Sequence, residues 1–266
     1  MGVLTIDIPI AFVTYHPEKS FYCDLDRFLG HGQKVYIFCN CAESYTSITN
    51  LYGEGSPNIK FLYMGKNVGL SKAYNSLLDL IRGDGFSYYY LFDQDTQISD
   101  YFFSVKDTIP SSIDLRRIVL AQLCSGHAKN QEPIALSNPM FVINSGSLVN
   151  ASLIESLGGY PKNYFVDGVD YYVCLIAKVM DFKVGYVSGY FGLDHTVGQG
   201  DVPLTMLNKS FLVRFYGWSR IKDVSKSHVK LIILAFYHFE IRYALKLTQF
   251  LTVFYLRNIF GLFLSK

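Results

Sequence analysis

The amino-acid sequence predicts an α/β protein built on a doubly wound, mostly parallel sheet. Short apolar runs alternate with segments of helical periodicity from residue 9 onward. These runs are apolar throughout, which is typical of strands buried on both faces of a parallel sheet. The chain has 266 residues, of which 50% are hydrophobic, enough for one large domain of this class. In such sheets, ligands bind beyond the carboxyl ends of the strands.

The first half of the chain is predicted to alternate between strands and helices. Five apolar runs are the predicted strands: Ile10–Tyr15, Val35–Cys39, Ile59–Tyr63, Tyr88–Phe92 and Ile118–Leu123. Apolar residues at helical spacing predict a helix over Phe21–Leu29 and another over Gly69–Ile81. This order predicts helices on both faces of the sheet.

The second half contains fewer regular patterns. Cys124–Pro139 contains Gly, Asn, His and two Pro residues, and it predicts a loop. Helices are predicted over Ala151–Leu157 and Asp170–Met180, with a strand over Lys183–Val187. Gly192–Gly200 predicts an irregular loop.

Charge divides the chain into two predicted domains. Residues 1–208 contain 14 basic and 20 acidic side chains, whereas residues 209–266 contain ten basic and two acidic ones. We expect an α/β domain over 1–208 and a basic, aromatic, helical extension over 209–266. Because the basic residues are confined to a segment rich in Phe and Leu, and no recognition motif is present, we expect no nucleic-acid binding.

The extension has two open interpretations. Arg242, Lys246 and Gln249 are spaced to share one side of an amphipathic helix, and much of the remainder is apolar. Such a helix can lie in a membrane interface with its basic side on anionic lipid. It can equally pack on its own domain or on a second copy of the chain, which would form a homo-oligomer.

The N-terminus and the cysteines predict a cytoplasmic protein. The first residues lack a basic segment, and Asp7 interrupts the apolar stretch, so they are interpreted as the start of a strand rather than a signal peptide. The five cysteines include no Cys-x-x-Cys pair, which argues against a disulfide framework and a structural zinc site.

The strongest local signal is a pair of carboxylates, Asp93 and Asp95, directly after the apolar run Tyr88–Phe92. Oxygen ligands of this kind suit Mg²⁺ or Mn²⁺, which leave coordination positions open for substrate phosphates. Side chains alternate along an extended chain, so both carboxylates reach one ion only if the chain turns after Asp93. Otherwise, one binds the cation and the other a ribose hydroxyl or a metal-bound water. A haloacid-dehalogenase-type phosphohydrolase also has two aspartates after a strand, but Gln97 departs from its pattern.

Three further segments contain candidate binding groups. Asn67 and Gly69 open a helix whose free N–H groups can face an anion. Asp167 and Asp170 lie near a helix start, which favours the ionised carboxylate that a general base needs. His195 follows an apolar run in a loop, where it can reach a phosphate or a metal.

Taken together, these segments resemble the family 2 glycosyltransferases, whose fold is called GT-A, and most of all their bacterial rhamnosyltransferase branch. The resemblance covers roughly residues 9–216. It is carried by NVGLSKAYN at 67–75, LFDQDT at 91–96, NSGSLV at 144–149, FVDGVDYYVCL at 165–175 and LDHTVG at 193–198.

The resemblance implies a role for each candidate residue. Thr14 and Tyr15 would contact the base and ribose of the donor, while Asn67, Gly69 and Asn75 would shape its pocket. Asn40 stands where the family often has an Asp for the base or ribose. The other implied assignments are Asp93 and Asp95 for ribose and metal, Gly146 and Ser147 for the sugar, Asp170 as catalytic base with Asp167 as the second candidate, and His195 for the metal or diphosphate.

The expected function is therefore an inverting, metal-dependent transfer of rhamnose or another hexose from a dTDP- or UDP-sugar. The acceptor implied is a lipid-linked oligosaccharide of bacterial O-antigen or capsule, at the inner face of the plasma membrane. Tyr172 and Ile176 occupy positions where the family often has an acid and an Arg. This departure leaves open an alternative, an inactive nucleotide-sugar-binding or scaffold protein with the same fold.

Overall fold

The computed structural model describes residues 8–125, 134–195, 202–206, 209–213 and 216–264. The chain divides into two compact units. The first comprises Met1–Phe165 and Val169–His195, and the second comprises Val166–Gly168 and Thr196–Lys266. The second of these units resumes at Thr196, whereas the sequence predicts a domain boundary after residue 208. That domain boundary stays a prediction.

The first unit contains the α/β sheet and its helices. Its strands are β1 (Ile10–Thr14), β2 (Val35–Cys39), β3 (Ile59–Tyr63), β4 (Tyr88–Asp93), β5 (Thr96–Ile98), β6 (Ile118–Leu123), β7 (Ala135–Ser137), β8 (Ser147–Asn150), β9 (Lys183–Ser188) and β10 (Leu193–His195). Its helices are α1 (Lys19–Gly30), α2 (Ala42–Tyr52), α3 (Gly69–Gly83), α4 (Asp100–Val105), α5 (Ile109–Ser112), α6 (Ala151–Ser156) and α7 (Val169–Val179).

Eight of the described strands form one sheet in the order β3-β2-β1-β4-β8-β6-β9-β7. Neighbours β3, β2, β1 and β4 pair in parallel, as do β6 and β9, whereas β8 and β7 run antiparallel to their partners. The fold class predicted from the sequence is thus confirmed: a mostly parallel α/β sheet flanked by helices, with a helical C-terminal region.

The apolar runs explain why these strands lie in the middle of the molecule. Every residue of β2 is buried, so both faces of that strand are covered. On one face, Phe12 packs edge-on against Phe21 of α1, with ring centroids 5.3 Å apart. Phe92 meets Phe102 of α4 at 5.4 Å. The burial of such aromatic side chains fixes the strands whose carboxyl ends carry the candidate site.

Two predicted loops contain strands. The segment Cys124–Pro139 includes β7, whose residues 135–137 pair antiparallel with β9. The segment Gly192–Gly200 includes β10, which pairs antiparallel with β5. Both predictions were wrong at these residues because three-residue strands have too little periodicity to be recognised, and pairing with distant partners stabilises them.

The second unit consists of a hairpin and two long helices. Strands β11 (Val202–Met206) and β12 (Lys209–Val213) pair antiparallel, and helices α8 (Trp218–Tyr237) and α9 (Ile241–Leu264) follow. Many apolar side chains of α8, α9 and the turn between them are exposed: Trp218, Val229, Ile233, Phe236, Tyr237, Phe239, Ile241, Leu245, Val253, Leu256 and Ile259. None of the helices within the described residues combines the length and apolar character that crossing a bilayer requires.

Candidate active site

The candidate site lies at the carboxyl edge of the sheet, where β1, β2 and β4 end. In the β1–β4 pairing, Val13 is opposite Asp93, so the end of β1 lies beside the first aspartate of the pair. Because β8 runs antiparallel, its first residue, Ser147, lies at the same edge and pairs with Leu91 of β4. The turn before β8 therefore brings further polar groups to the ends of the parallel strands.

Asp93 is the last residue of β4, and the chain turns at Gln94 and Asp95 before β5 begins. This turn is the condition under which both carboxylates can face one ion. The Asp93 N–H donates to Ser145 Oγ at 2.9 Å, which anchors the turn. Asp93 is exposed, yet surrounding protein atoms partly desolvate its carboxylate, and this raises its pKa to about 6. The negative charge of Asp95 adds to the rise, and Ser145 opposes it.

The donor set at this edge fits a hard divalent cation. The Asp93 carboxylate is destabilised by desolvation and, to a smaller extent, by the charge of Asp95, so a nearby positive ion would stabilise it. Mg²⁺ and Mn²⁺ bind through one or two carboxylates together with substrate phosphates, so a third protein ligand is not required. Asp93 and Asp95 are the residues that would hold the ion.

Gln94 connects the aspartate turn to the end of β1. Its Oε1 accepts the Tyr15 N–H at 2.7 Å, and its Nε2 donates to the Tyr15 carbonyl at 3.0 Å. The Tyr15 side chain is 51% exposed, which leaves its ring accessible to a ligand. Gln94 thereby fixes the backbone that presents this ring.

The turn before β8 links Asp93 to Asp170. The N–H of Asn144 donates to Asp170 Oδ1 at 3.3 Å, and the next residue is Ser145, the partner of Asp93. Gly146 has a φ of +71° and donates its N–H to the Leu91 carbonyl at 2.8 Å. The structure therefore brings together Asp93, Gly146 and Asp170, to which the resemblance gives roles in one site.

Two other groups of this turn are buried. The Ser147 hydroxyl donates to the Ile143 carbonyl at 2.6 Å, so Ser147 shapes the turn. The Asn144 side chain is 1% exposed, and neither of its polar atoms has a hydrogen-bond partner within the described part of the chain.

Tyr74 of α3 is a buried side chain near the acidic groups Asp93 and Asp170. Burial raises its pKa well above the usual value, and the charges of Asp93 and then Asp170 add to the rise. Its ring lies 5.1 Å from that of Tyr160, whose hydroxyl is 3.1 Å from that of Tyr89. Tyr74, Tyr160 and Tyr89 thus form a buried group of tyrosines, and its member Tyr74 is close enough to Asp93 and Asp170 for their charges to affect its pKa.

Asn40, Asn67 and Gly69 meet at the start of α3. Asn40 is 3% exposed, and its Oδ1 accepts the Val68 N–H at 3.0 Å. Asn67 Oδ1 accepts the Gly69 N–H at 2.9 Å, within a turn in which Gly69 has a φ of +80°. Both amide side chains hold the backbone of this turn, so they shape the neighbouring surface through the main chain.

Thr14 and Asn75 are likewise committed to internal partners. The Thr14 hydroxyl is fully buried and lies 2.6 Å from the hydroxyl of Ser44. Asn75 accepts the Tyr160 N–H at 2.9 Å and donates to the Tyr160 carbonyl at 3.0 Å. Gly159 is required beside it, because a Cβ there would come within 2.5 Å of Asn75 Oδ1. These residues position the edge and do not present polar atoms from it.

Asp167 belongs to the second unit and has partners on α8. Asp223 accepts the N–H groups of Val166 and Asp167, each at 3.0 Å, and Arg220 donates to Asp167 Oδ1 at 2.9 Å. Within the described residues, Asp167 Oδ2 has no hydrogen-bond partner. Burial raises the pKa of Asp167 to about 6, Arg220 opposes this, and Asp223 adds to it.

His195 is placed by backbone pairing alone. The β5–β10 ladder puts it opposite Thr96, the residue after Asp95. Its side chain, and residues 196–198 of the same motif, lie outside the described residues. Its predicted role toward metal or diphosphate stays a prediction.

Sequence reasoning missed Gln94, Ser145 and Tyr74 as parts of this site. Gln94 stands between the two aspartates and Ser145 precedes Gly146, so both lie inside recognised motifs. Tyr74 follows Ala73 on a helix with an apolar side, and nothing in its spacing separates it from a core residue.

Comparisons with known proteins bear on the fold. No family model matches the chain, and no curated protein matches it either. Similar solved structures include S. aureus TarS 1–349, at 15% identity and a TM-score of 0.52, covering 71% of this chain and 60% of that one. The complex of TarS 1–349 with UDP-GlcNAc matches at 12% identity and 0.56, covering 85% and 66%. The complex with UDP matches at 12% and 0.50, covering 72% and 61%.

The chain therefore spans about 60% of the TarS 1–349 chain, and 37% of the longer TarS chain. These structures do not bear on the rhamnosyltransferase branch, which stays a prediction. At such identities the likeness establishes architecture, and this chain has the GT-A-like α/β fold that it shares with TarS.

Proposed function

We propose that this protein is a glycosyltransferase that takes its sugar from a nucleotide-sugar donor. One observation carries the proposal: Asp93, Asp95 and Asp170 come together at the carboxyl edge of a GT-A-like sheet, joined through the turn at Asn144 and Ser145. Support comes from TarS, a glycosyltransferase of similar fold that has been solved with UDP-GlcNAc and with UDP. Of the two predicted nucleotides, these complexes favour UDP.

The proposed reaction is an inverting transfer. Asp170 accepts the proton of an acceptor hydroxyl, whose oxygen forms a bond to the anomeric carbon of the donor sugar. The bond from that carbon to the diphosphate oxygen breaks at the same time, and its electron pair leaves with the nucleoside diphosphate. A bound Mg²⁺ or Mn²⁺, held by Asp93 and Asp95, would neutralise the charge that develops on the diphosphate. Tyr15 offers an exposed ring for the base or ribose.

The proposal also includes an acceptor and a pathway. A lipid-linked glycan, as in O-antigen or capsule synthesis at the inner face of the membrane, fits the exposed apolar side chains of α8 and α9. Lys222 and Lys226 are also exposed on α8, and cations of this kind are attracted to anionic lipid. The proposed donor sugar is rhamnose or another hexose, and this part of the proposal rests on the sequence resemblance.

The test is a panel of UDP-, dTDP-, GDP- and CDP-sugars, with and without Mn²⁺, scored by thermal unfolding. We expect one nucleotide class to raise the melting temperature, because a ligand at 100 times its Kd adds about 2.7 kcal/mol of stability. Asp95→Asn should lose the Mn²⁺-dependent part of the shift. A panel in which no nucleotide sugar raises the melting temperature would contradict donor binding.

The inactive alternative is separated by turnover. A transferase hydrolyses its donor slowly without acceptor, and the nucleoside diphosphate released can be measured directly. A scaffold binds the donor and releases none. This alternative rests on Tyr172 and Ile176, which stand where the resembled glycosyltransferase family often has an acid and an Arg. The Tyr172 ring packs against that of Tyr164, with ring centroids 5.8 Å apart.

A further inference from the structure

A second cluster of metal-ligating side chains lies outside the residues assigned so far. His16, Cys41 and Glu43 each offer one ligand atom, and these three atoms all lie within 4.8 Å of one another. Within the described ranges, this is the one group of three His, Cys, Asp or Glu side chains at such spacing. We propose that His16, Cys41 and Glu43 form a Zn²⁺ site.

The backbone that carries the three side chains is fixed by the sheet. His16 is the second residue after β1, and Cys41 is the second after β2. The two strands pair in parallel up to Thr14 and Cys39, and the Asn40 N–H donates to the Thr14 carbonyl at 2.7 Å. Cys41 directly precedes α2, so the chain returns Glu43 to the same place within two residues. The ligands are therefore brought together by strand pairing and a helix start.

The side-chain spacing is close to that of a bound ion. His16 Nδ1 lies 3.8 Å from Glu43 Oε2, and no two of the three ligand atoms are more than 4.8 Å apart. The backbone N–H of His16 donates to Cys41 Sγ at 3.2 Å, which holds the thiol beside His16. Tetrahedral zinc with bonds of about 2.0–2.3 Å holds its ligand atoms roughly 3.3–3.8 Å apart. His16 also has a φ of +49°, a left-handed conformation that His adopts more readily than most residues.

The ligand chemistry selects zinc over the cations expected at Asp93 and Asp95. Imidazole and thiolate are borderline or soft ligands that suit Zn²⁺, whereas Mg²⁺ and Mn²⁺ prefer oxygen alone. A thiolate and a carboxylate supply two negative charges, which balance the ion. Three protein ligands also leave a fourth position open. The side chains of His16 and Glu43 are 54% and 71% exposed, so that position is reachable from solvent.

The proposed zinc site differs from the expectation drawn from the cysteine spacing, which argues against a structural zinc site. That expectation rests on the absence of a Cys-x-x-Cys pair, which is a local motif. Here two ligands are 25 residues apart along the chain and meet through β1 and β2. The ion would join the end of β1 to the start of α2, directly beside Tyr15. It does not depend on the proposed transferase function, since none of its three ligands is among the residues assigned to the donor, its metal or the catalytic base.

The experiment is a Co²⁺ titration of the metal-free, full-length protein, with Co²⁺ as a visible substitute for zinc. We expect a thiolate-to-metal charge-transfer band in the near ultraviolet that saturates with one Co²⁺ per chain at this site. The band should be lost when Zn²⁺ is added. Cys41→Ser should abolish the band. His16→Asn and Glu43→Gln should each weaken binding by about tenfold or more, since losing even a hydrogen-bond partner of a metal ligand costs that much. His16→Asn is matched to the backbone, because Asn also tolerates a positive φ.

Two control variants separate this site from other binding. Cys23→Ser removes an exposed thiol on α1 and should leave the band intact. Asp95→Asn should also leave it intact, because oxygen-only binding gives no thiolate band. The proposal is overturned if the wild-type protein shows no thiolate band, or if His16→Asn binds Zn²⁺ with wild-type affinity. The second result decides the matter even if Cys41→Ser fails to fold.

Discussion

Gly69 lies against the main chain of Phe165. A Cβ on Gly69 would come within 2.5 Å of the Phe165 carbonyl oxygen and 2.7 Å of its ring carbon Cδ2. The next residue, Leu70, donates its N–H to the same carbonyl at 2.6 Å. The first turn of α3 and the segment before α7 therefore touch through their backbones, with no room for a side chain.

Gly69→Ala should consequently destabilise the protein by at least about 2 kcal/mol, because it adds a clash to a strained φ of +80°. The matched control is Gly83→Ala at the other end of α3, where a Cβ meets no described atom within 4 Å. That change should stabilise by about 0.4–1 kcal/mol. Denaturant unfolding of both variants measures the difference; equal effects would contradict the close approach.

Gln94 should contribute to stability and to donor binding together. Gln94→Ala removes two hydrogen bonds to the Tyr15 backbone and should cost about 1–2 kcal/mol. Donor affinity should fall as well, because the Tyr15 ring loses its fixed backbone. Thermal unfolding and donor titration measure the two effects. Gln97→Ala, at an exposed position of β5, is the control, and a loss of equal size there would remove the specific role of Gln94.

Asp170→Asn should separate catalysis from binding. The amide keeps the shape of the side chain and a carbonyl oxygen for the Asn144 N–H, but it cannot accept the acceptor's proton. We expect donor affinity near wild type and a fall in transfer rate of about 10²–10⁴-fold. Asp167→Asn is the companion variant and should retain most of the rate. The assignment of the base would be reversed if Asp167→Asn lost activity and Asp170→Asn kept it.

Asp93 should make the metal-free protein less stable as the pH rises. With its pKa raised from 3.8 to about 6, the folded state keeps a proton that the unfolded chain releases between these values. Stability rises with pH only where the unfolded state binds more protons, so here it falls through this window, and the full penalty is present above it.

Asp93→Asn should therefore melt at a higher temperature than wild type near neutral pH, and the difference should shrink toward about pH 4. Because Asp93 is exposed, solvent screening keeps the gain below the full value of the shift. Calorimetric scans in the presence of a chelator measure it. A gain that is the same at both pH values would point to a cause other than ionisation.

We expect the turn between α8 and α9 to contribute strongly to membrane binding by the second unit. Phe239 in this turn is 87% exposed and has a φ of +60°, which a bulky residue rarely adopts. Phe239→Asn suits the backbone and removes the ring. It should weaken binding to anionic vesicles by about tenfold, the value of one aromatic side chain in lipid.

The control is Leu51→Asn, which removes a 61% exposed apolar side chain from α2 of the first unit. Its vesicle binding in co-sedimentation should match wild type. If Phe239→Asn binds vesicles as well as wild type does, the membrane interpretation is contradicted for this turn. The exposed side chains would then be expected to contact a second copy of the chain, and a measurement of the oligomeric state would test this.

The fold was predictable where apolar runs were continuous. β2 and β4 are buried almost throughout, so composition alone marks them. β8 was not recognised as a strand, since its four residues, Ser147 to Asn150, begin and end with polar side chains that are nevertheless buried. Its identity depends on pairing with β4 and β6, which no local pattern records.

The candidate site was predictable as a set of motifs but not as a set of contacts. Spacing identified Asp93, Asp95 and Asp170, because acids after a buried strand or at a helix start are conspicuous. The partners of Thr14 and Asn75 lie 30 and 85 residues away, at Ser44 and Tyr160. Such hydrogen bonds decide whether a polar side chain faces a ligand or supports the backbone, and they exist only in the folded chain.

The antiparallel course of β8 also determines when the site can appear during folding. Ser145 bonds to Asp93 across 52 residues, and β8 lies between β4 and β6 in the sheet. The carboxyl edge is thus incomplete until both halves of the sheet have paired, and contacts between distant residues are slow to form. A nascent chain that ends before residue 144 contains both aspartates of the turn but not their anchor. Donor binding would therefore report that the whole sheet has closed.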